Sequence, residues 1–313
     1  MRDPLIFSGS ADPAFAEAIC KHMGVKLSEM EMIHFSNDNM MIRVKENVRE
    51  ADVFVIQTSC TPVSDRIIET FLILDAMKSA SAARVTAVIP YFPYVRSDKK
   101  DQPRISIAAK LMANLLDTAG ADRILTMELH SPQIQGFFNV PVDQLLAIDV
   151  ICNYFKDKYD PKNSVLVAAD AGEGKKIGPY ASRLNLPMAI IHKKREGNTD
   201  QVVATHLIGD VEGKNALLID DEIASGGTLC EAAKFLKKNG ALMVSAAAVH
   251  PVLSGNAMEK INESVLDELV VTDTIPIKNK KELCPKIVCL TVAPLFAQTI
   301  QRIHSGDSVS DLF

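Results

Sequence analysis

At 313 residues, 47% hydrophobic and 23% charged, the chain has the composition of a globular protein and a length that suits two domains of about 150 residues each. Its net charge of −5 argues against nucleic acid as the main partner, and its six cysteines lie far apart without a C-x-x-C pair, so neither a disulfide framework nor a zinc site is expected. No stretch runs long enough without charge to cross a bilayer, and the N-terminus MRDPLIFSGSADP lacks a signal-peptide core, which together read as a cytoplasmic protein with no membrane partner.

Strand-like apolar runs alternate with segments of helical period from end to end, the pattern of α/β units on a mainly parallel sheet. Leu5 to Phe7 reads as a strand and Pro13 to Met23 as a helix. Ile33 to Asn39 is a polar turn carrying Phe35, which suits either a core position or a stacking face for a base. Strands at Met41 to Val44 and Val53 to Gln57 precede an amphipathic helix from Pro62 to Ala82. The strand Val85 to Pro90 runs into Tyr91 to Lys110, where Arg96, Lys99, Lys100 and Arg104 gather in an otherwise acidic protein. A charge run is usually a solvated surface, but one placed at a strand's carboxyl end reads as a mobile basic loop able to fold over a polyanion. A helix is expected from about Ile105 to Thr118, and then a strand, Arg123 to Met127, leading into Glu128, Leu129 and His130.

The second half begins near Ile148, with a helix from Val150 to Tyr159 and a strand from Val165 to Ala168, followed by Asp170 and the loop Ala171 to Lys176. AGEGKK is not an ATP-binding P-loop, because Ala169 and Lys176 stand where that pattern needs Gly and Ser or Thr, and no G-x-G-x-x-G fingerprint occurs elsewhere. The strand Met188 to Ile191 ends in a second cationic cluster, His192, Lys193, Lys194 and Arg195. Strands at Leu242 to His250, Leu269 to Asp273 and Ile287 to Thr291 and a helix from about Pro294 to His304 complete the chain.

The most informative stretch is Asn215 to Lys238. A buried strand (Ala216 to Ile219) meets Asp220 and Asp221, loops through Ala224, Ser225, Gly226 and Gly227, and enters a helix at Thr228. Glycines let backbone N–H groups close around an anion, Ser225 and Thr228 add hydroxyl donors, and the positive end of the helix dipole faces the same spot. A Gly-Gly before a helix is often only a tight turn. Two carboxylates at the end of a buried strand are costly to desolvate without a function, and being anionic they suit hydroxyls or a metal rather than phosphate. The layout fits a ligand with both a phosphate and neighbouring hydroxyls, such as a sugar phosphate.

This loop resembles the phosphoribosyl-diphosphate (PRPP) binding loop of the type I phosphoribosyltransferase fold, departing from it at Ala224 where that pattern has a third acid. Over its whole length the chain resembles the ribose-phosphate diphosphokinase (PRPP synthetase) family. The matching words are ENVREADVFVIQT (46–58), VTAVIPYFPYVRSDKKDQPR (85–104), ELHSPQIQGFFNVPVD (128–143), VAADAGEGKK (167–176), AIIHKKR (189–195), LLIDDEIASGGTLCEAA (217–233), VHPVLSGNA (249–257) and SGDSVSDLF (305–313).

The resemblance implies an α/β protein of two tandem phosphoribosyltransferase-type domains, each a mainly parallel sheet flanked by helices. These are expected at 1–147, on the ATP side with a flexible loop at 91–110, and at 148–313, with the ribose 5-phosphate loop at 220–228 and the last helix packing back on the first domain. It implies transfer of the diphosphate group of ATP to the anomeric hydroxyl of ribose 5-phosphate, with Mg2+ as cofactor and a homo-oligomer, by family a hexamer, as the assembly. Carried onto this chain, Lys193 and Arg195 fall on catalytic cations. Phe35, Asn37, Asn39, Arg96, Ser97, Asp98, Lys99, Arg104 and His130 fall on the ATP side, and Asp220, Asp221, Ser225, Gly226, Gly227 and Thr228 on ribose 5-phosphate. His130 and Asp170 fall on the metal. Arg49, Gln135, Ser308, Val309 and Ser310 fall on an inter-subunit phosphate or ADP site. Family members usually carry other residues at Asn37, Asn39, Asn47, Ser97, Glu128 and Ala224. The alternatives are a phosphoribosyltransferase that consumes PRPP, which needs only one such domain, and a catalytically inert associated protein.

Overall fold

The computed structural model describes residues 3–170, 172–195, 202–277 and 284–312, without the side chains of 193–195, 202–205 and 311. The chain forms two compact units, Met1–Leu146 with Thr274–Pro276 and Thr291–Phe313, and Ala147–Asp273 with Ile277–Leu290.

In the first unit, strands β1 (Leu5–Ser8), β4 (Asp52–Ile56), β5 (Arg84–Ile89), β6 (Arg123–Met127) and β7 (Val142–Leu145) form one sheet in that order, every neighbouring pair parallel. Short runs such as Val85 to Ile89, apolar but for Thr86, are buried on both faces, as a parallel sheet covered by helices requires. Helix α1 (Pro13–Met23) starts cleanly because Asp12 accepts from the Phe15 amide and Pro13 supplies a preset φ, and it stops at Gly24, whose φ of 72° suits glycine. Helices α2 (Val63–Ser79) and α3 (Ala108–Thr118) pack Ile73, Leu74, Met77 and Met112 into a core with Val53, Val55 and Val85. Strands β2 (Met30–His34) and β3 (Met40–Val44) pair only with each other, as an antiparallel hairpin.

The closing helix α8 (Ala293–Ser305) belongs to this first unit. Phe296 meets Phe15 of α1 edge to face at 5.5 Å, Arg84 Nη2 donates to the Ile303 carbonyl at 2.9 Å, and His304 Nδ1 lies 2.7 Å from Asp52 Oδ2.

The second unit carries α4 (Ile148–Phe155), β8 (Ser164–Ala168), α5 (Gly178–Leu184), β9 (Met188–Arg195), β10 (Val202–Ile208), β11 (Asn215–Glu222), α6 (Gly227–Lys238), β12 (Met243–His250), α7 (Ala257–Glu263), β13 (Glu268–Thr272) and β14 (Ile287–Leu290). Its sheet runs β10-β9-β8-β11-β12-β13-β14, with β10 antiparallel to β9 and the other pairs parallel. From β8 the chain winds one way to β9 and β10, then returns to the other side of β8 for β11. Strand order therefore reverses between β8 and β11, and at such a reversal a crevice opens outside the carboxyl ends of the strands. Val165, Val167, Leu218, Val244, Leu229, Leu236 and Ile261 fill the core beneath it.

The α/β class with parallel sheets matches the expectation from sequence, while β2, β7 and β10 were not anticipated. All three lie outside the sheet centres, and β7 has one buried residue, Leu145, while β2 has none. Helix α3 starts three residues later than expected. The Ser97 hydroxyl donates to the Ser106 carbonyl and accepts from the Ala108 amide, which keeps 105–107 out of the helix.

Candidate active site

The second unit assembles the densest set of sequence-expected residues. Ile219 on β11 is the register partner of Ala168 on β8, so Asp220 and Asp221 emerge beside Ala169 and Asp170 at the sheet reversal. The Asp221 amide donates to Asp220 Oδ1 at 2.8 Å, and the Glu222 amide to Asp221 Oδ1 at 2.9 Å. Across the reversal, Asp170 Oδ1 accepts from the Glu173 amide at 3.1 Å. Burial, then the neighbouring Asp221 and the charge of Glu173, push the Asp220 carboxyl up to about 8. The cost of burying two carboxylates at this strand end is one that a cationic or hydroxylic ligand would relieve.

The loop after the acids is held from behind. The Ile223 amide donates to the His250 carbonyl at 3.0 Å, and the amides of Leu253 and Ser254 donate to the carbonyls of Ile223 and Ala224, each at 2.9 Å. Gly226 sits at φ 72° at the head of α6, a left-handed conformation costly for other residues, and no side chain caps the helix. The amides of its first turn, with the exposed hydroxyls of Ser225 and Thr228, thus offer donors to an anion.

Two residues of the site were not singled out from the sequence, Glu173 and Lys176. Lys176 Nζ donates to Glu173 Oε1 at 3.0 Å and to Asp221 Oδ2 at 3.3 Å. Burial favours the neutral amine, but Asp221 and Glu173 outweigh it and hold Lys176 above the ordinary lysine range. The available signal was the i, i+3 spacing of Glu173 and Lys176 within AGEGKK.

Lys193 and Arg195 were expected just past a strand end. Instead β9 continues through Arg195, its last residues pairing with β10 alone: Lys193 opposite Ala204 and Arg195 opposite Val202. The two cations therefore sit on an antiparallel arm that outruns the parallel sheet, and their side chains lie outside those described.

In the first unit, Phe35, Asn37 and Asn39 share the tight turn between β2 and β3. The Phe35 amide donates to the Asn39 carbonyl at 2.9 Å and Asn37 Oδ1 accepts from the Asn39 amide at 3.3 Å. Phe35 is 48% exposed, so it is no core residue; its ring is open to a partner. In the segment after β5, Arg96, Lys99 and Arg104 are exposed and Asp98 is half-buried. Ser97 ties the segment to itself: besides the hydroxyl bonds above, its amide donates to the Tyr94 carbonyl and its carbonyl accepts from the Ala109 amide. His130 follows β6 and is half-buried, beyond Glu128, whose amide donates to the Leu145 carbonyl at 3.0 Å.

The two expected metal ligands thus belong to different units, His130 to the first and Asp170 to the second. Among the described residues no group of three or more His, Cys, Asp or Glu side chains is arranged to hold a metal ion.

A mainly parallel α/β sheet presenting acids and an uncapped Gly-Gly helix start at its reversal has the layout of a phosphate-binding α/β fold. Comparison with known proteins makes this specific. Residues 4–120 match the family model of the N-terminal domain of ribose phosphate pyrophosphokinase, and residues 201–313 that of the phosphoribosyl synthetase-associated domain. The chain is 47% identical to the ribose-phosphate pyrophosphokinase of Caldanaerobacter subterraneus, covering 98% of this chain and 97% of that one. It is 48% identical to that of Deinococcus radiodurans, covering 100% and 98%. The crystal structure of phosphoribosylpyrophosphate synthetase from Mycobacterium smegmatis superimposes with a TM-score of 0.91 at 37% identity, over 97% of this chain and 100% of that one. The chain belongs to the ribose-phosphate pyrophosphokinase family, and its units are of phosphoribosyltransferase type.

Proposed function

We infer that the protein is a ribose-phosphate pyrophosphokinase, forming PRPP and AMP from ATP and ribose 5-phosphate. The observation that carries this reading is the cradle from Asp220 to Thr228 at the sheet reversal, in a chain that spans its pyrophosphokinase relatives almost end to end. A PRPP-consuming transferase would use the same cradle but not the whole two-unit chain.

In the reaction the anomeric hydroxyl oxygen bonds to the β-phosphorus of ATP as the bond from that phosphorus to the α-phosphate oxygen breaks. AMP leaves and the hydroxyl proton is lost. Such transfers give a protein little covalent chemistry, so positioning and charge stabilisation carry the rate. The amides at the start of α6, with Ser225 and Thr228, hold the 5-phosphate, while Asp220 and Asp221 accept from the ring hydroxyls. Lys193 and Arg195 meet the diphosphate as it moves, the first as a point charge and the second as a fork. Phe35 stacks on adenine with Asn37 and Asn39 at its edge, Arg96, Ser97, Lys99 and Arg104 line the ATP phosphates, and Asp98 lies in the same segment on the ATP side. His130 and Asp170 would hold Mg2+ when it is bound, and the ion would supply charge neutralisation on the diphosphate. The enzyme works as a homo-oligomer, a hexamer by family, in the cytoplasm; no described helix is long and apolar enough to cross a membrane.

The test is a coupled assay for AMP and PRPP with ATP, ribose 5-phosphate and magnesium. Formation of both in equal amounts is expected. A folded protein that forms neither would be an inert associated protein instead.

A further inference from the structure

One cation in the second unit is not used by the mechanism above. Lys176 lies on the segment following β8, yet its Nζ contacts an acid of β11, and the chain of contacts through it is continuous. Asp170 Oδ1 accepts from the Glu173 amide, Glu173 Oε1 meets Lys176 Nζ at 3.0 Å, Lys176 Nζ meets Asp221 Oδ2 at 3.3 Å, and the Asp221 amide donates to Asp220 Oδ1. The network therefore spans the sheet reversal, from the metal-side acid to the sugar-side acids, and Lys176 is its only link from side chain to side chain across β8 and β11 among these four contacts.

The two acids are not equivalent within it. The Asp221 side chain is 10% exposed, and each of its oxygens has a partner, Oδ1 the Glu222 amide and Oδ2 Lys176. Asp220 gives one oxygen to the Asp221 amide, its side chain also meeting that of Asp221, and it has no contact with Lys176 among the hydrogen bonds above. A carboxylate that is largely buried and engaged at both oxygens is an anchor more than a ligand, and an anchor fixes what is attached to it. What is attached to Asp221 is the next strand position, Asp220, and the loop that leads to Ser225 and Gly226.

We propose that Lys176 is a positioning residue for ribose 5-phosphate: acting through Asp221, it holds the acidic end of β11 and the phosphate loop at the spacing the sugar phosphate requires. The proposal rests on the pyrophosphokinase reading, and it divides the labour there assigned to the acid pair, Asp220 accepting from the sugar and Asp221 holding the frame. Lys176 also offsets charge in a cluster of Asp170, Glu173, Asp220 and Asp221. Without it, the repulsion among these carboxylates would spread the two strand ends.

The experiment compares Lys176→Met, which keeps length and loses charge, with Lys176→Arg, which keeps the charge. Lys176→Met should raise the KM for ribose 5-phosphate about tenfold while the KM for ATP and kcat change less than about threefold, since positioning of one substrate alone is lost. Ribose 5-phosphate binding, measured calorimetrically with magnesium and a non-transferable ATP analogue, should weaken by the same factor. Lys176→Arg should restore most of both. In an Asp221→Asn background the Lys176→Met effect should largely vanish, because the route runs through Asp221. Equal losses in both substrates, no rescue by Lys176→Arg, or full additivity with Asp221→Asn would each overturn the proposal. Cooperative thermal unfolding of every variant separates these outcomes from misfolding. An unsubstituted protein that makes no PRPP would sink the functional reading, whereas an active one indifferent to Lys176→Met would sink only this inference.

Discussion

The two sheets are built from the same kind of strand, but they make different kinds of site. In the first unit, strand order β1-β4-β5-β6-β7 follows the chain without reversing, so no crevice is opened by topology. Its expected ATP residues sit on what the sheet leaves outside: an exposed hairpin turn, a basic segment pinned by Ser97, and the strand-end residue His130. In the second unit the order reverses between β8 and β11, and Asp170, Asp220 and Asp221 meet there partly buried and joined through Lys176. The second unit holds a framed cluster of acids, whereas the hairpin turn and basic segment of the first unit, and the β9–β10 arm of the second, lie outside the parallel sheets. Substitutions should divide accordingly, those in the frame touching stability and titration as well as binding, those on the arms touching function alone.

The largest effect is expected at Lys193, on the arm formed by β9 and β10. If its charge acts mainly on the transferring diphosphate, Lys193→Ala should lower kcat by about a hundredfold or more with little change in either KM. Steady-state kinetics in both substrates decides it, and a loss confined to KM would make Lys193 a binding residue. Because this strand segment lies outside the parallel sheet, the thermal midpoint should be nearly unchanged.

The hairpin turn of the first unit gives the next effect. Phe35 is half exposed and contributes little to the core, so Phe35→Ala should leave stability within about 0.5 kcal/mol. Stacking of a base on an aromatic ring is worth about 1–3 kcal/mol, so the KM for ATP should rise roughly tenfold and that for ribose 5-phosphate should not. A marked drop in melting temperature with unchanged KM would return Phe35 to a structural role.

The legible parts of this molecule were those where burial dictates sequence. The apolar runs of β5, β8, β11 and β12 read correctly as buried strands, and the Asp-Asp to Gly-Gly-Thr word read correctly as strand end, loop and helix start, since each step has a backbone requirement that few residues meet. Strands β2 and β7 were not legible because hydrogen bonding, rather than burial, holds them, and backbone pairing leaves no apolar period; β10 pairs only with β9, at the edge of its sheet. Lys176 was illegible for another reason. Its partner Asp221 lies 45 positions away, and only strand order brings the two together.

The frame should also show itself in stability. Asp220 is shifted from an ordinary 3.8 to about 8, burial being the largest cause. The folded state thus binds this proton more tightly than the unfolded chain, so stability is fully present below about pH 4 as far as this group is concerned and is lost as pH rises towards about 8. Thermal unfolding without ligand or metal should show the midpoint falling across that window, and Asp220→Asn should flatten the fall. A slope unchanged by the substitution would mean that the strain resides elsewhere in the carboxylate cluster.

The smallest effect is expected at Ala224, where family members usually carry an acid. Restoring it as Ala224→Asp would add a charge-assisted hydrogen bond to a sugar hydroxyl, about 1.5–3 kcal/mol if nothing opposed it. In this site something does. Ala224 is half-buried, its carbonyl already accepts from the Ser254 amide, and the new carboxylate would join Asp220, Asp221 and Glu173, of which Asp220 is already pushed up by its neighbours. Repulsion from these should cancel most of the gain, leaving the KM for ribose 5-phosphate lower by no more than about threefold and that for ATP unchanged. The same crowding should steepen the pH-dependent loss of stability in the substituted protein, because one more acid resists ionisation. Saturation curves for each substrate and melting curves across pH test both halves. Weaker ribose 5-phosphate binding without any change in the pH dependence would show that position 224 obstructs the ligand sterically, and Asp220 would then lose its assignment to the sugar hydroxyls.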